Sequence, residues 1–260
     1  MNVAHVIWIW MENRSLGEIV GAADARYITS LAEACGFAAR YEAVAHPSLP
    51  NYIAATSGTT GGIRSDGLPA QFPQLGPSLF EQAPSSGSFE EGMPSNCDLH
   101  DDALYVVRHN PEAFYTRIRA SCARDDVPLG TPRSGRFLTE LEAGSLPAFS
   151  FVTPNVCDDM HSCAVSRGDS WLARWVQIIA ASRSYREGQV VLFLTWDEND
   201  GSTGNHVPLI VVSPFTTPGT RSNGSFTHYS LLRTTEQLLG LHHYLGHAAS
   251  ASSMRVAFGL

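Results

Sequence analysis

The stretch that decides the fold is His5–Met11, HVIWIWM. Apart from His5 it is apolar throughout, and it mixes β-branched with aromatic side chains, which favour strands. An unbroken apolar run, as opposed to an alternating one, is expected of a strand that is covered on both faces. The polar residues Glu12 and Asn13 follow at once. The stretch therefore predicts a buried central strand that ends at a polar site.

Three more short apolar runs predict further buried strands, and helical spacing of apolar residues predicts the helices between them. The predicted strands are Ala148–Val152, Val190–Trp196 and Val207–Val212. The predicted helices are Asp24–Ala39, which begins at Asp24, Leu49–Thr56, Ser170–Ser182, which Asp169 caps, and Ser230–Leu239, which Gly240 ends. Strands that alternate with helices predict an α/β fold, a three-layer sandwich with a mostly parallel central sheet.

Length and composition indicate one globular domain. The chain has 260 residues, of which 43% are hydrophobic, and this is enough for a sizeable core, so we treat 1–260 as a single unit. Residues 57–135 are rich in Gly, Ser and Pro and show few periodic patterns, and we interpret them as an irregular excursion over the edge of the sheet. A net charge of −8 argues against nucleic-acid binding, which needs a basic surface.

The cysteines and the first residues bear on the compartment. The pairs Cys157–Cys163 and Cys97–Cys122 can form two bridges, whereas Cys35 lies in an apolar helical stretch and is expected to be a free thiol. Two bridges suit a secreted or periplasmic protein, and five reduced cysteines in a cytoplasmic protein are the alternative. The opening MNVAHVIWIW lacks the features of a signal peptide, so export requires that a leader has been removed; its apolar run is too short to span a membrane.

Two acidic clusters at predicted strand ends favour a metal site. Glu12-Asn13 follows the first strand, and Asp197-Glu198 follows Val190–Trp196. Ligand sites of open α/β sheets lie outside the carboxyl ends of the strands, and neighbouring carboxylates repel each other unless a cation screens them. Each cluster alone also fits a helix start or a solvated acidic turn. Together they predict one divalent metal ion, and oxygen ligands favour Ca²⁺ or Mg²⁺ over Zn²⁺.

The segment His46–Tyr52, HPSLPNY, contains a candidate nucleophile. Pro50 suits the first turn of a helix, which places Ser48 at a helix N-terminus, where backbone N–H groups favour an anion. Ser48 is therefore either an ordinary N-cap or a nucleophile that faces a phosphoryl group. Asn51, in the same turn, is a candidate donor to a phosphate oxygen.

Asp159 and three histidines complete the candidate set. Asp159 and His161 follow the predicted strand Ala148–Val152. An extended loop would put both on one side, with His161 as an acid or a phosphoryl ligand and Asp159 as the group that orients it. His206 lies after the second acidic cluster and His228 lies before the last helix. Either can reach the site, although each alone is more often a structural histidine.

Taken together, these motifs resemble the bacterial phosphoesterase family that contains phospholipases C and acid phosphatases, above all its small secreted acid phosphatases. The resembling segments are HVIWIWMENRS, HPSLPNY, FSFVTPNVCDDMH, RGDSWL, FLTWDENDGS, NHVPLIVVSP and THYSLLRTTEQLLGL. They cover most of the chain, with a weak match only at about Ser57–Arg136. The family is similar to alkaline phosphatases, which implies a mostly parallel sheet flanked by helices.

The resemblance also implies roles for single residues. The turn Ser48–Asn51 matches the family's S/T-x-P-N nucleophile turn, and Glu12-Asn13 and Asp197-Glu198 match its metal ligands. The remaining matches are histidines: His161 in the Asp-Met-His motif, His206 after the Asp-Glu loop and His228 before the last helix.

We therefore expect a monomeric, metal-dependent phosphatase that hydrolyses phosphoric monoesters through a phosphoserine intermediate. The expected substrate is a small-molecule or lipid phosphate ester, and the expected metal ligands are Glu12, Asn13, Ser48, Asp197 and Glu198. The alternatives are a phospholipase C-type phosphodiesterase, a non-catalytic phosphate- or headgroup-binding protein, and a calcium-stabilised structural domain.

Overall fold

A single sheet of eight strands forms the centre of the computed structural model, which describes residues 3–202 and 204–260. The strands are β1 His5–Met11, β2 Gly36–Glu42, β3 Ser86–Glu90, β4 Asp126–Pro128, β5 Phe149–Thr153, β6 Val190–Trp196, β7 Leu209–Val212 and β8 Arg221–Thr227. Their order is β4-β3-β5-β1-β6-β7-β2-β8, and β7 alone runs antiparallel to its neighbours in this sheet. The mostly parallel sheet confirms the predicted α/β class.

Helices cover both faces of the sheet. The α-helices are α1 Leu16–Ile19, α2 Arg26–Ala34, α3 Ser48–Ser57, α4 Leu79–Gln82, α5 Arg119–Asp125, α6 Arg136–Ala143, α7 Val165–Ala181, α8 Arg183–Arg186, α9 His228–Leu238 and α10 Arg255–Phe258. On one face Trp8 of β1 donates Nε1–H to Thr235 of α9 at 2.9 Å. On the other, Phe89 of β3 packs edge-on against Phe137 of α6, and Phe137 against Trp175 of α7. The three-layer arrangement is thereby confirmed.

The predicted helix Asp24–Ala39 is wrong at both ends. It is α2, its N-cap is Ala25, and residues from Gly36 onward form the strand β2. The strand forms because β2 lies between β7 and β8, where its backbone pairs on both sides and Phe37 and Tyr41 are buried. Tertiary pairing overrides the local helical pattern here.

Residues 57–135 are more than an excursion, because they contribute β3, β4, α4 and α5. β3 pairs with β5, and β4 pairs with β3, so this segment builds one edge of the sheet. The two strands are only five and three residues long, too short to give a periodic pattern. The 3₁₀ turns Val107–His109 and Pro111–Phe114 come from the same segment.

Both of the cysteine pairs that the sequence allows form disulfides, in place of five reduced cysteines. Cys97 bonds to Cys122 and Cys157 bonds to Cys163, while Cys35 is a half-buried free thiol. The second disulfide closes the loop that carries Asp159. In the described ranges, no helix is both long and apolar enough to cross a membrane.

A cluster of buried carboxyl groups lies beside the edge strands. Glu90, Glu112 and Asp126 are each at most 1% exposed. Burial is the main cause of a raised pKa at all three, and repulsion from neighbouring carboxylates adds to it. The pKa of Glu112 rises to about 7. The fold therefore favours the uncharged form of these groups.

Replacing Glu112 by Gln is expected to reduce the dependence of stability on pH. Folded Glu112 holds its proton up to about pH 7, whereas the ordinary pKa is 4.5. The folded state therefore binds more protons in this window, so the stabilisation is complete below pH 4.5 and is lost as the pH rises towards 7. The loss amounts to at most about 3 kcal/mol.

Urea unfolding at about pH 5 and about pH 8 measures this effect. The free energy of unfolding should fall less in Glu112→Gln than in the wild type, because Gln keeps the shape and does not ionise. Glu142→Gln, at an exposed position of α6, is the matched control. An equal fall in all three proteins would contradict the assignment.

Candidate active site

Polar side chains converge where the parallel strands end. Glu12 follows β1 and Asp197 follows β6, which are neighbours in the sheet. Asp197 N–H donates to the carbonyl oxygen of Met11 at 3.0 Å, and Asn13 N–H donates to Asp197 Oδ1 at 3.0 Å. Asp159 comes from the loop after β5, and its carbonyl oxygen accepts from Glu12 N–H at 2.9 Å. The structure thus brings three strand ends together.

Ser48 is the first residue of α3 and is 2% exposed. Its Oγ lies 3.1 Å from Glu12 Oε2 and 3.3 Å from Glu198 Oε1. The N-cap of α3 is Pro47, and the Ser48 hydroxyl does not cap the helix. The simple capping interpretation of Ser48 is therefore wrong, and its hydroxyl faces the acidic residues that follow β1 and β6.

Asn51 shapes the turn before Ser48. Its Oδ1 accepts from Val44 N–H and Ala45 N–H at 3.1 and 2.9 Å, and its Nδ2 donates to the carbonyl oxygens of Ala45 and Pro47 at 3.0 and 3.1 Å. The fully buried amide uses both hydrogens on the backbone. This geometry suits a residue that positions Ser48 rather than one that donates to a phosphate oxygen.

Glu12 has two partners that the motif analysis missed. Tyr52 OH donates to Glu12 Oε1 at 2.5 Å, and His109 Nε2 lies 3.3 Å from Glu12 Oε2. His109 Nδ1 lies 3.3 Å from Asp159 Oδ2, so the buried imidazole lies between two carboxyl groups. Its position before Pro111 in an irregular segment gave no pattern to recognise.

His161 lies at the surface of the site, with Asp159 beneath it. Asp159 Oδ1 accepts from the backbone N–H of His161 at 2.7 Å, so the carboxylate holds the loop and not the ring. The ring Nδ1 lies 3.0 Å from Ser162 Oγ, and Nε2 lies 3.5 Å from an Arg108 nitrogen. Burial and then Arg108 lower the pKa of His161. Its imidazole is therefore held mainly neutral.

The RGD segment of α7 supports this loop. Arg167 Nε donates to Asp158 Oδ1 at 2.8 Å, and a Cβ on Gly168 would lie 2.7 Å from the carbonyl oxygen of Asp158. Asp169 lies inside α7 and accepts from the backbone N–H groups of Tyr27 and Ile28 at 3.1 and 2.8 Å. The predicted role of Asp169 as N-cap of its own helix is wrong, because it caps α2 instead.

The structure does not bring the rings of His206 and His228 into the cleft. His206 Nε2–H donates to Glu42 Oε1 at 2.8 Å, half exposed to solvent. His228 is fully buried between the carbonyl oxygen of Asp197, 2.6 Å from Nε2, and Tyr41 OH, 2.9 Å from Nδ1. Burial lowers the pKa of His228 to about 4. Its contacts hold the backbone of Asp197.

A cleft of about 400 Å³ opens over Ser48's neighbours. It is lined by Asn13, Arg14, His46, Pro47, His161 and residues 198–201. His46, which the motif analysis left without a role, pairs through Nδ1 with Glu198 Oε2. A slightly larger cleft, about 440 Å³, lies near Ser86 and Pro147, where β3 and β5 begin, and is therefore at the opposite end of the strands from Ser48.

The site concentrates negative charge in a dry environment. Burial raises the pKa of Glu12, Asp159, Asp197 and Glu198, and repulsion between carboxylates adds to the shift at Glu12, Asp159 and Asp197. The pKa values of Asp197 and Glu198 rise to about 7. A positive charge at this place would restore the ionised carboxylates.

Two buried oxygen atoms fit a cation. Asn13 Oδ1 and Asp197 Oδ2 accept no hydrogen bond from the described residues, although both are shielded from water. In the described part of the chain, one set of three His, Cys, Asp or Glu side chains has ligand atoms that all lie within 4.8 Å of one another. This set is Cys97, Cys122 and Asp126, and its two sulfurs already form a disulfide. A cation beside Ser48 would give the unpartnered oxygens of Asn13 and Asp197 a ligand role.

The chain has an α/β fold similar to that of solved proteins of the alkaline phosphatase superfamily. A Vibrio parahaemolyticus protein described as belonging to the alkaline phosphatase superfamily superimposes with a TM-score of 0.66. The match covers 99% of this chain and 72% of that one, at 11% sequence identity. At this identity the likeness shows the fold alone.

The family follows from the sequence relatives. The phosphoesterase family model matches residues 22–242. The phosphatidylinositol-3-phosphatase of Mycobacterium tuberculosis is 33% identical over 242 residues, which cover 92% of this chain and 77% of the relative. The phosphate-repressible acid phosphatase of Penicillium chrysogenum is 28% identical over 246 residues, and the chain spans only 58% of it. The chain belongs to the phosphoesterase family and is a phosphoric ester hydrolase.

Proposed function

We propose that this enzyme hydrolyses phosphoric monoesters through a phosphoserine intermediate on Ser48, with one divalent cation in the site. The observation that carries the proposal is the position of Ser48 Oγ, at the start of α3 and within 3.3 Å of carboxylates from two strand ends. A serine in this place is oriented for attack on phosphorus, and phosphoryl transfer depends mostly on positioning and charge neutralisation.

The protein groups around Ser48 have separate tasks in this proposal. Asn51 fixes the turn so that Oγ points out of the helix start, Tyr52 orients the Glu12 carboxylate by donating to it, and His109 lies beside that carboxylate. Ser48 Oγ forms the bond to phosphorus as the bond to the leaving oxygen breaks. His161, half exposed in the cleft, is placed to hold a phosphoryl oxygen. Water then hydrolyses the phosphoserine.

The cation would be held by oxygen ligands from Glu12, Asn13, Ser48, Asp197 and Glu198. When bound, it would offset the charge of the buried carboxylates and favour the ionised form of the serine hydroxyl. The unpartnered oxygens of Asn13 and Asp197 support this assignment. An all-oxygen set favours Ca²⁺ or Mg²⁺ over Zn²⁺.

The relatives support a monoesterase. The bacterial relative is named a phosphatidylinositol-3-phosphatase and the fungal relative a phosphate-repressible acid phosphatase, so both are named as phosphatases. We therefore propose a small-molecule or lipid phosphate ester as the substrate. The two disulfides support a secreted or periplasmic location.

Steady-state hydrolysis of p-nitrophenyl phosphate and of bis(p-nitrophenyl) phosphate tests this function. We expect kcat/KM for the monoester to exceed that for the diester by at least about tenfold, a difference of 1.4 kcal/mol in transition-state binding. A preference for the diester would assign a phospholipase C-type phosphodiesterase instead. Absence of turnover with both compounds and with a phosphatidylinositol phosphate would contradict the proposal.

A further inference from the structure

The charges around Ser48 leave the substrate in need of a cationic side chain. Ser48 Oγ lies within 3.3 Å of the carboxyl groups of Glu12 and Glu198, and the buried Asp159 and Asp197 bond to the backbone of Glu12 and Asn13. The substrate of the proposed reaction is itself an anion. Arg108 of the 57–135 segment is a cationic side chain at the border of the site, because its guanidinium contacts His161, which lines the cleft.

The guanidinium of Arg108 lies between the cleft that His161 lines and a neighbouring cleft that Asp66 lines. One of its terminal nitrogens is 3.5 Å from His161 Nε2, and its Nε is 3.6 Å from Asp66 Oδ2. The side chain is 21% exposed and, with Asp66, lines the neighbouring cleft of about 380 Å³. A ligand that contacts His161 is therefore within reach of Arg108.

Asp66 connects this arginine to the nucleophile. Its Oδ1 accepts from Leu49 N–H at 2.9 Å, and Leu49 directly follows Ser48 in α3. Its Oδ2 faces Arg108. One carboxylate thus sets the position of the guanidinium relative to the serine.

The N–H groups of Arg108 make fewer hydrogen bonds than those of Arg14 and Arg167, the other arginines that contact the loop around Asp159. Arg167 makes a 2.8 Å bond to Asp158, and Arg14 makes a 3.0 Å bond to the carbonyl oxygen of Met160. The Arg108 Nε is buried and has no hydrogen-bond partner among the described residues. The contact between a terminal nitrogen of Arg108 and His161 is at the long limit of a hydrogen bond. A guanidinium in this state retains donors for a phosphate, which it can bind through two parallel bonds.

We propose that Arg108 binds the non-bridging oxygens of the substrate phosphoryl group and that Asp66 is the residue that positions it. This inference rests on the proposed phosphatase function, since it assigns a further contact to the same reaction. A monoester dianion carries one more negative charge on these oxygens than a diester does, so the contact favours monoesters.

The test compares Arg108→Gln and Arg108→Lys with Arg117→Gln, a control at an exposed arginine that pairs with Glu81. Two readouts are taken: kcat/KM for the monoester and the diester named above, and the Kd of inorganic phosphate by calorimetry. Arg108→Gln should lower monoester kcat/KM by roughly 10²–10³-fold, the usual effect of losing one charge-stabilising donor, and diester kcat/KM by less. Phosphate affinity should fall at least about tenfold, and Lys should restore only part of both.

The phosphate titration separates this inference from the function itself. If Arg108→Gln binds phosphate as tightly as Arg117→Gln does, the inference is overturned, whatever the turnover. If the wild type turns over neither ester but Arg108→Gln still loses phosphate affinity, the proposed function fails and the binding role stands. Asp66→Asn combined with Arg108→Gln should lose no more monoester activity than Arg108→Gln alone, and additive losses would exclude the positioning role of Asp66.

Discussion

Ser48→Ala is expected to lower turnover of p-nitrophenyl phosphate by at least about 10⁴-fold. The side chain that would form the covalent intermediate is removed, while Asn51 still holds the turn through its four backbone bonds. The loss should therefore appear in kcat, and the affinity for inorganic phosphate should change little.

Ser57→Ala is the matched control for this variant. Ser57 is the last residue of α3 and is also buried, but its Oγ bonds only to backbone groups, namely the carbonyl oxygens of Ile53 and Thr59 and the N–H of Thr59. This control should keep activity within about tenfold of the wild type, since the loss of hydrogen bonds to the backbone far from the carboxylates acts on stability alone. Acid-quenched wild type incubated with substrate should carry phosphate on the peptide that contains Ser48. Near-normal turnover by Ser48→Ala would exclude it as the nucleophile.

The parts of the fold that could be predicted from the sequence are those in which burial leaves a long local pattern. β1 and β6 are seven-residue apolar runs, and both lie within the predicted bounds because both faces of each strand are covered. β2 and β8 gave no such signal. β8 is mostly exposed, and β2 reads as the continuation of a helix until its pairing partners are known.

The candidate site divides in the same way. Glu12, Ser48 and Asp197 could be predicted because strand ends and helix starts fix their places in an α/β sheet. His109 and Arg108 could not, since a 3₁₀ turn carries them and only the tertiary course of the 57–135 segment brings them to the strand ends. Residue type alone was also misleading at Asn51 and Asp169. Asn51 is expected to bind phosphate and Asp169 to cap its own helix, but both side chains instead bond to backbone groups of other segments.

Asp197→Asn is expected to remove most of the activity and also the increase in activity and in Tm that added Ca²⁺ or Mg²⁺ causes in the wild type. The substitution keeps the size of the side chain and removes the charge at the centre of the proposed ligand set. Monoester kcat/KM should fall by roughly 10²–10³-fold. Treatment of the wild type with EDTA should cause a similar loss, which Ca²⁺ or Mg²⁺ should reverse.

Thermal unfolding gives a readout that does not depend on activity. At a cation concentration about 100-fold above Kd, binding adds about 2.7 kcal/mol of stability. For a chain of this size, this gain in stability raises the Tm of the wild type by roughly 5–10 °C. Asp197→Asn should bind the cation weakly, so its Tm should hardly change. Asp24→Asn, at an exposed position outside the site, is the control and should respond like the wild type. A chelated wild type with full activity and unchanged Tm would show that the carboxylates work without a metal.

The pH dependence of the metal response provides a more stringent test. The pKa values of Asp197 and Glu198 rise to about 7 because burial disfavours their charged forms and because Glu198 repels Asp197. Without a cation these groups favour folding when protonated, so their contribution is present at low pH and is lost as the pH rises through 7. A cation needs them ionised and must displace those protons. The Tm increase on adding cation should therefore shrink as the pH falls from about 8 to about 5, in the wild type and in Asp24→Asn alike. A Tm increase that is independent of pH would place the cation away from these two carboxylates.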